Sequence, residues 1–403
     1  MKNEFKGGRR IDDWRPEDEQ FWENGGKQVA SRNLWISIPA LLLAFSVWVI
    51  WSVVVVRMPE VGFQFDKAQL SWLVALPALS GATMRIFYSF MVPIFGGRRW
   101  TAISTASLLI PTIWLGFAIQ NPDTTFTTFA IIALLCGLGG ANFSSSMSNI
   151  SFFYPKSKQG TALGLNAGLG NLGVSVSQFV IPAVIGFSLF GALAGEGQMT
   201  ESGKVLYLQN AAFVWVIPIA IMTVLAWFGM NDLSGAKASF KEQSVIFGRQ
   251  HTWIMCILYL ATFGSFIGFS AAFPMVIKQS FPDVDPLKVA FLGPLVGALF
   301  RPVGGWLADK IGGARVTFWV YVVMAISVVA VMFFLKMGNF IGYFVGFMLL
   351  FMTSGIGNAS TFRMIPVIFR TMHERYNSPD LVNQARKESA AVVGFAGGFA
   401  AYG

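Results

Sequence analysis

Gly81-Ala82-Thr83-Met84-Arg85 and Gly297-Ala298-Leu299-Phe300-Arg301 share one frame, glycine-alanine-x-x-arginine, displaced by 216 positions. The same displacement carries Gly96-Gly97-Arg98-Arg99 onto Gly312-Gly313-Ala314-Arg315 and Thr101 onto Thr317. Each copy lies in an apolar run of about 20 residues, enough to cross a bilayer as a helix rising about 1.5 Å per residue. The chain therefore reads as a duplicated unit, with an arginine at the same place in the same span of each copy.

Outward from this pair, apolar runs recur along the whole chain. Eleven are expected, at roughly 35–56, 69–95, 100–119, 126–150, 160–191, 207–230, 252–276, 287–308, 314–335, 339–367 and 388–403. Of the 403 residues, 54% are hydrophobic and only 12% charged. A soluble domain carries about 25% charged residues, so this chain cannot cover a water-facing globule. The class is an all-α polytopic membrane protein. A displacement of 230 aligns Gly164, Gly168 and Gly173 of the fifth run with Gly394, Gly398 and Gly403 of the eleventh. Runs 2 and 8, like runs 5 and 11, differ by six. Two pseudo-symmetric six-helix halves are expected, twelve helices in all, of which about eleven are present. The expected division is an N-terminal segment at 1–34, a first half at 35–230, a polar linker at 231–251, and a second half at 252–403, truncated within helix 11.

Basic residues orient the spans. With a cytoplasmic N-terminus, 20 of the 29 Lys and Arg fall in inside segments, six in outside loops, and three within spans: Arg85, Arg301 and Arg363. That distribution accounts for most of the +9 net charge and removes the reason to invoke a nucleic-acid partner. Cys136 and Cys256 lie in apolar runs without CxxC or metal spacing and read as packing residues. No metal and no cofactor is expected.

Arg85 stands 18 residues after Lys67 and 13 before Arg98, and Arg301 stands 13 after Lys288 and eight before Asp309. A guanidinium at such depth costs at least about 2.5–3.5 kcal/mol unless it faces a cavity or a partner. A protein carboxylate would be the ordinary partner. None of the twenty Asp and Glu falls in the middle of a span, and Asp309, Asp232 and Glu388 lie at span ends. The remaining counter-ion is a substrate anion. A planar fork of N–H donors suits a planar oxyanion bidentately, so Arg85 and Arg301 are expected to form an anion clamp. Arg363 is seven residues, about 10 Å along a helix, from Arg370 and is expected to reach the cytoplasmic face.

Two further motifs stand out. Gly305-Trp306-Leu307-Ala308-Asp309-Lys310-Ile311-Gly312 fits the GxxxD[RK]xG loop motif of the major facilitator superfamily. Asp309 can pair there with cytoplasmic charges or helix dipoles, while Pro93 is its counterpart in the first half. Gly164-Leu165-Asn166-Ala167-Gly168-Leu169-Gly170-Asn171-Leu172-Gly173 is dense in small residues, which let helices approach closely and slide. Asn166 and Asn171 are five apart and point to different faces. One can meet substrate while the other bonds a neighbouring helix.

Arg85 and Arg301 in spans 2 and 8, with glycine-rich spans 5 and 11, resemble the nitrate/nitrite porter family of the major facilitator superfamily. Asp12-Asp13-Trp14-Arg15-Pro16-Glu17-Asp18, Ser31-Arg32-Asn33-Leu34-Trp35-Ile36-Ser37, the stretch from Tyr88 to Trp100 and that from Tyr259 to Ser270 extend the likeness over the whole chain. The resemblance implies nitrate and nitrite as substrates and the bacterial inner membrane as location. It implies a site of Arg85, Arg301, Asn171, Phe143, Tyr259 and Phe263. Gly164, Gly168, Gly170, Gly173, Gly394, Gly398 and Asp309 would then serve conformational change. Besides its anions the chain is expected to meet membrane lipids and to act as a monomer.

A proton-coupled carrier keeps a titratable group in its pathway. Here the two histidines, His251 and His373, sit in or beside cytoplasmic loops and no carboxylate sits at mid-span. Exchange of one anion for another by alternating access is therefore expected. The alternative is nitrate/proton symport, with a tyrosine, a water or the substrate carrying the proton. The sequence shows no signalling domain for a sensor and no nucleophile–base or metal constellation for an enzyme. A channel is disfavoured by the two-half pattern.

Overall fold

The computed structural model describes residues 9–191, 195–200, 202–236, 240–376 and 381–403. Residues 1–8 of the expected N-terminal segment and 237–239 of the expected linker, whose basic residues are counted above as inside-facing, lie outside the described residues. Among those described, ten helices are long and apolar enough to cross a membrane. They are α1 (Glu19–Val61), α2 (Lys67–Phe95), α3 (Gly97–Ala118), α4 (Phe126–Phe153), α5 (Lys156–Val184), α6 (Asn210–Gly229), α7 (Gln250–Ser280), α8 (Pro286–Ile311), α9 (Gly313–Lys336) and α10 (Phe340–Arg375). An eleventh, α11 (Leu381–Phe399), packs on α2, α4 and α10. The expected runs match these helices to within a few residues at most ends. The exceptions are α1, α10 and α11, which extend into polar sequence, and α5, which ends at Val184, seven residues short of the expected end at 191.

Local sequence explains the starts. Asp66 accepts from the Gln69 backbone N–H while the Gln69 side chain accepts from the Asp66 backbone, a reciprocal cap on α2. Thr125 caps α4 and Asn339 caps α10. The repeated glycines explain the closest helix contacts. A Cβ on Gly137 of α4 would stand 2.6 Å from the Gly81 amide nitrogen of α2, and one on Gly355 of α10 would stand 2.0 Å from the Gly297 carbonyl oxygen of α8. The glycine of the opening frame is thus where the second helix of each half presses on the fourth. Gly96 and Gly312 both take left-handed φ, +95° and +90°, and turn the chain identically after α2 and α8.

The face where the chain starts carries most of the basic residues and is called the basic face here. Its N-terminal segment, read from sequence as simply polar, is a folded element. β1 (Arg10–Ile11) pairs in parallel with β4 (Asp232–Leu233) of the linker. Trp14 packs edge-on against Phe153, and Trp22 lies against Tyr154. The Asp232 carboxylate accepts from the Arg98 backbone N–H at 2.9 Å and from its Nε at 3.2 Å. The first half, lacking an acid opposite Asp309, receives one from the linker. A short hairpin, β2 (Gln198–Met199) with β3 (Val205–Leu206), lies on the opposite face. Large apolar side chains such as Phe318, Trp319, Ile326 and Val329 of α9 are left exposed, as a lipid-facing surface requires.

Candidate functional site

Arg85 of α2 is fully buried. Its Nε donates to the Gly140 carbonyl of α4 at 2.6 Å and its Nη1 to the Gly397 carbonyl of α11 at 2.6 Å. Nη2 has no partner. The guanidinium carbon stands 4.9 Å from the Trp48 ring, 4.9 Å from Phe143 and 4.8 Å from Phe263, inside an aromatic box. Glycine builds this box. The Trp48 indole donates to the Pro77 carbonyl at 2.7 Å, and a Cβ on Gly140 would strike its ring at 2.4 Å. A Cβ on Gly397 would reach Phe143 at 3.2 Å, and one on Gly398 would reach the Arg85 Cβ at 3.0 Å.

Arg301 of α8 is equally deep. Its Nη2 donates to the Tyr259 hydroxyl at 2.8 Å, and its Nη1 has no partner. Its guanidinium carbon lies 5.8 Å from the same Phe143 ring. Tyr259, Phe263 and Phe143 form a column, stacked at 5.1 Å and 5.4 Å between centroids. Phe263 sits on a π turn of α7 (Leu260–Gly264), a local unwinding common at functional sites. The structure thus brings five of the expected residues together. Asn171 of α5 is buried too, with Oδ1 unpaired, but bonds to none of the five. Asn166 points elsewhere and donates to the Ser146 hydroxyl at 2.9 Å. Asn166 is thus the one of the two that bonds a neighbouring helix, α4.

The two arginines are no farther apart than their distances to Phe143 laid end to end. Even at that bound, like charges at an effective dielectric of about 20 repel by roughly 1.5 kcal/mol. Neither is paired with a carboxylate among the described residues, and each keeps an N–H₂ group buried without an acceptor. An unmet donor of a charged group costs more than the usual 1–3 kcal/mol. What the arrangement can do is accept an anion beside the stacked aromatic column, with the free N–H₂ groups of Arg85 and Arg301 as donors to its oxygens.

The glycine-rich segments, read as one kind, divide in two. Gly394 and Gly398 press on Ser89 and Arg85 of α2. Gly170 and Gly173 press on Leu41 and Leu42 of α1, whereas Gly164 has nothing within 4 Å of a Cβ and Gly168 only the Ala298 carbonyl at 3.9 Å. Gly164 instead lines a cavity of about 950 Å³ together with Met147, Arg301, Phe362, Asp309 and Arg363. Glu17 and Arg370 also line it, so it opens toward the basic face. Arg363 is held by the Asp309 carboxylate at 2.5 Å and takes no part in the box around Arg85.

A family model described as Major Facilitator Superfamily matches residues 36–401. The nitrate/nitrite transporter NarU of Escherichia coli (strain K12) is 52% identical over all of this chain and 89% of its own length. The probable nitrate/nitrite antiporter NarK2 of Thermus thermophilus is 42% identical over 98% of this chain and 88% of its own. The chain belongs to the nitrate/nitrite porter family of the major facilitator superfamily. It is a multi-pass membrane transporter and not an enzyme. Its fold is shared with a bacterial homolog of the human lysosomal transporter Spinster (TM-score 0.60, 15% identity, 93% of this chain and 82% of that one). The xylose transporter XylE of E. coli shares it as well (TM-score 0.58, 15% identity, 93% of each chain). Within this family chain, Trp48, Gly140 and Gly397 were not found from sequence. Gly397 lies among four glycines in ten residues, and only its contact with Arg85 singles it out.

Proposed function

We propose that this porter exchanges nitrate for nitrite across the bacterial inner membrane, with the basic face cytoplasmic and the anion clamped between Arg85 and Arg301. One observation carries the reading. Two buried, mutually repelling guanidinium groups each present an unpaired N–H₂ and lack a protein carboxylate among the described residues. A flat oxyanion supplies the missing acceptors and cancels the repulsion. Phe143 and Phe263, stacked on each other, form the apolar wall beside it, and the Asn171 amide N–H₂ is a further donor from α5. The names of NarU and NarK2 support the choice of anion. An empty clamp resists closure of the halves because closure brings uncompensated charges together in low dielectric. The carrier then resets only when loaded, and transport in one direction requires an anion for the return. Counterflow in proteoliposomes tests this: external nitrate uptake should depend on internal nitrite. Uptake driven by a pH gradient with no internal anion would favour proton symport instead.

A further inference from the structure

The cavity on the basic face reaches the clamp at one residue. Of the six residues assigned to the anion, only Arg301 belongs to its wall. Arg85, Phe143, Tyr259, Phe263 and Asn171 are shut off from it. Phe362 of α10 is a wall residue whose ring touches the clamp. Its ring lies 4.2 Å from the Tyr259 ring, 6.0 Å from Phe143 and 5.9 Å from the Arg301 guanidinium carbon. One side of this ring therefore rests on the site and the other faces the cavity. We propose that Phe362 is the gate through which the anion passes between the clamp and the cavity on the basic face. The proposal rests on the clamp reading above and adds a residue to it.

The surroundings favour a moving side chain over a moving helix. The α10 backbone is pinned on both sides of the ring. Ser360 and Thr317 of α9 share a hydroxyl hydrogen bond at 2.8 Å, and Arg363, the next residue, holds Asp309 of α8. Glycine at 357 seats α10 tightly, since a Cβ there would meet the Thr262 methyl at 2.5 Å. The ring itself has only two torsions, and the cavity of about 950 Å³ beside it gives it room to turn away. Turning would uncover Tyr259, widen the access to Arg301 that the cavity already has, and leave the column of Tyr259, Phe263 and Phe143 in place. Arg363 and Asp309 act as positioning residues that hold the hinge of this gate.

A gate alters rates and a binding wall alters affinity, so the two can be told apart. The full chain, purified, is mixed with nitrate in a stopped-flow instrument and followed by intrinsic fluorescence, to which Trp48 beside Arg85 contributes. In F362A, and in F362L, which keeps most of the volume and guards against misfolding, association and dissociation should both accelerate about tenfold or more. The equilibrium constant should stay within about threefold, and F362W should slow both steps. Unchanged rates in F362A and F362L would overturn the gate while leaving the clamp intact. So would faster dissociation with unaltered association, which marks a wall of the site. No nitrate response in the wild-type chain would overturn the clamp reading and the gate with it.

Discussion

Arg85 and Arg301 come from different halves of the chain and share one aromatic ring, Phe143, at 4.9 Å and 5.8 Å. Their anchors differ. Arg85 is held by two backbone carbonyls and Arg301 by one phenol hydroxyl.

Replacing Arg85 or Arg301 by lysine keeps the charge and removes the planar fork. Hydrogen bonds to charged groups contribute about 1.5–3 kcal/mol each. Losing the bidentate geometry should raise the half-saturating nitrate concentration in counterflow about a hundredfold. Unchanged values would show that the site reads charge alone.

Tyr259→Phe deletes only the hydroxyl that accepts from Arg301. The ring still stacks on Phe263, so the fold should hold, with thermal unfolding within about 2 °C of wild type. Arg301 gains a second unpaired group and swings more freely. Nitrate affinity should fall roughly tenfold by direct binding, and a smaller loss in Y259F than in R301K is expected.

The glycines separate stability from space. A Cβ on Gly173 would lie 2.0 Å from the Leu42 carbonyl, which is backbone and cannot yield. Gly173→Ala should cost about 1–3 kcal/mol through overpacking, visible as a lower melting temperature in detergent. Gly164→Ala meets nothing within 4 Å and gains helix propensity of up to about 1 kcal/mol. Its melting temperature should stay level or rise.

Arg57, at the end of α1, bonds Glu60 with Nη1 at 2.8 Å and approaches Asp285, just before α8, with Nη2 at 3.5 Å. It ties the two halves on the face opposite the cavity. The side chains are half-buried, and solvent-screened pairs contribute up to about 1 kcal/mol. Asp285→Asn should therefore shift the balance toward opening of that face by no more than about fivefold, read as faster labelling of a cysteine introduced at that face. A change in nitrate affinity measured at equilibrium without any change in labelling would refute a purely conformational role.

Much of the helical frame was legible because hydrophobic run length is set by membrane thickness, and the arginines because a charge in such a run has few structural excuses. Phe143, Tyr259 and Phe263 were legible only through resemblance. The chain carries 39 phenylalanines, and no periodicity separates a lipid-facing ring from one stacked in the site. Trp48 and Gly397 escaped because their roles exist only after α1, α2, α4 and α11 meet. The N-terminal segment escaped because its order comes from pairing with residue 232, beyond six helices. Gly164 and Gly394 looked alike in sequence, and the asymmetric cavity is what divides them.

The carbonyl anchors of Arg85 have a consequence for how this site can vary. A carbonyl oxygen survives every side-chain substitution, so no point change at position 140 or 397 deletes an acceptor. It can only displace one. In the proposed clamp the first half therefore supplies a fixed reference for the anion. The Tyr259 hydroxyl that steers Arg301 is a side chain, removable by a single codon change. Divergence in which oxyanion is preferred has its cheapest route through α7 and α8, and swapping substrates in the laboratory should begin on that side.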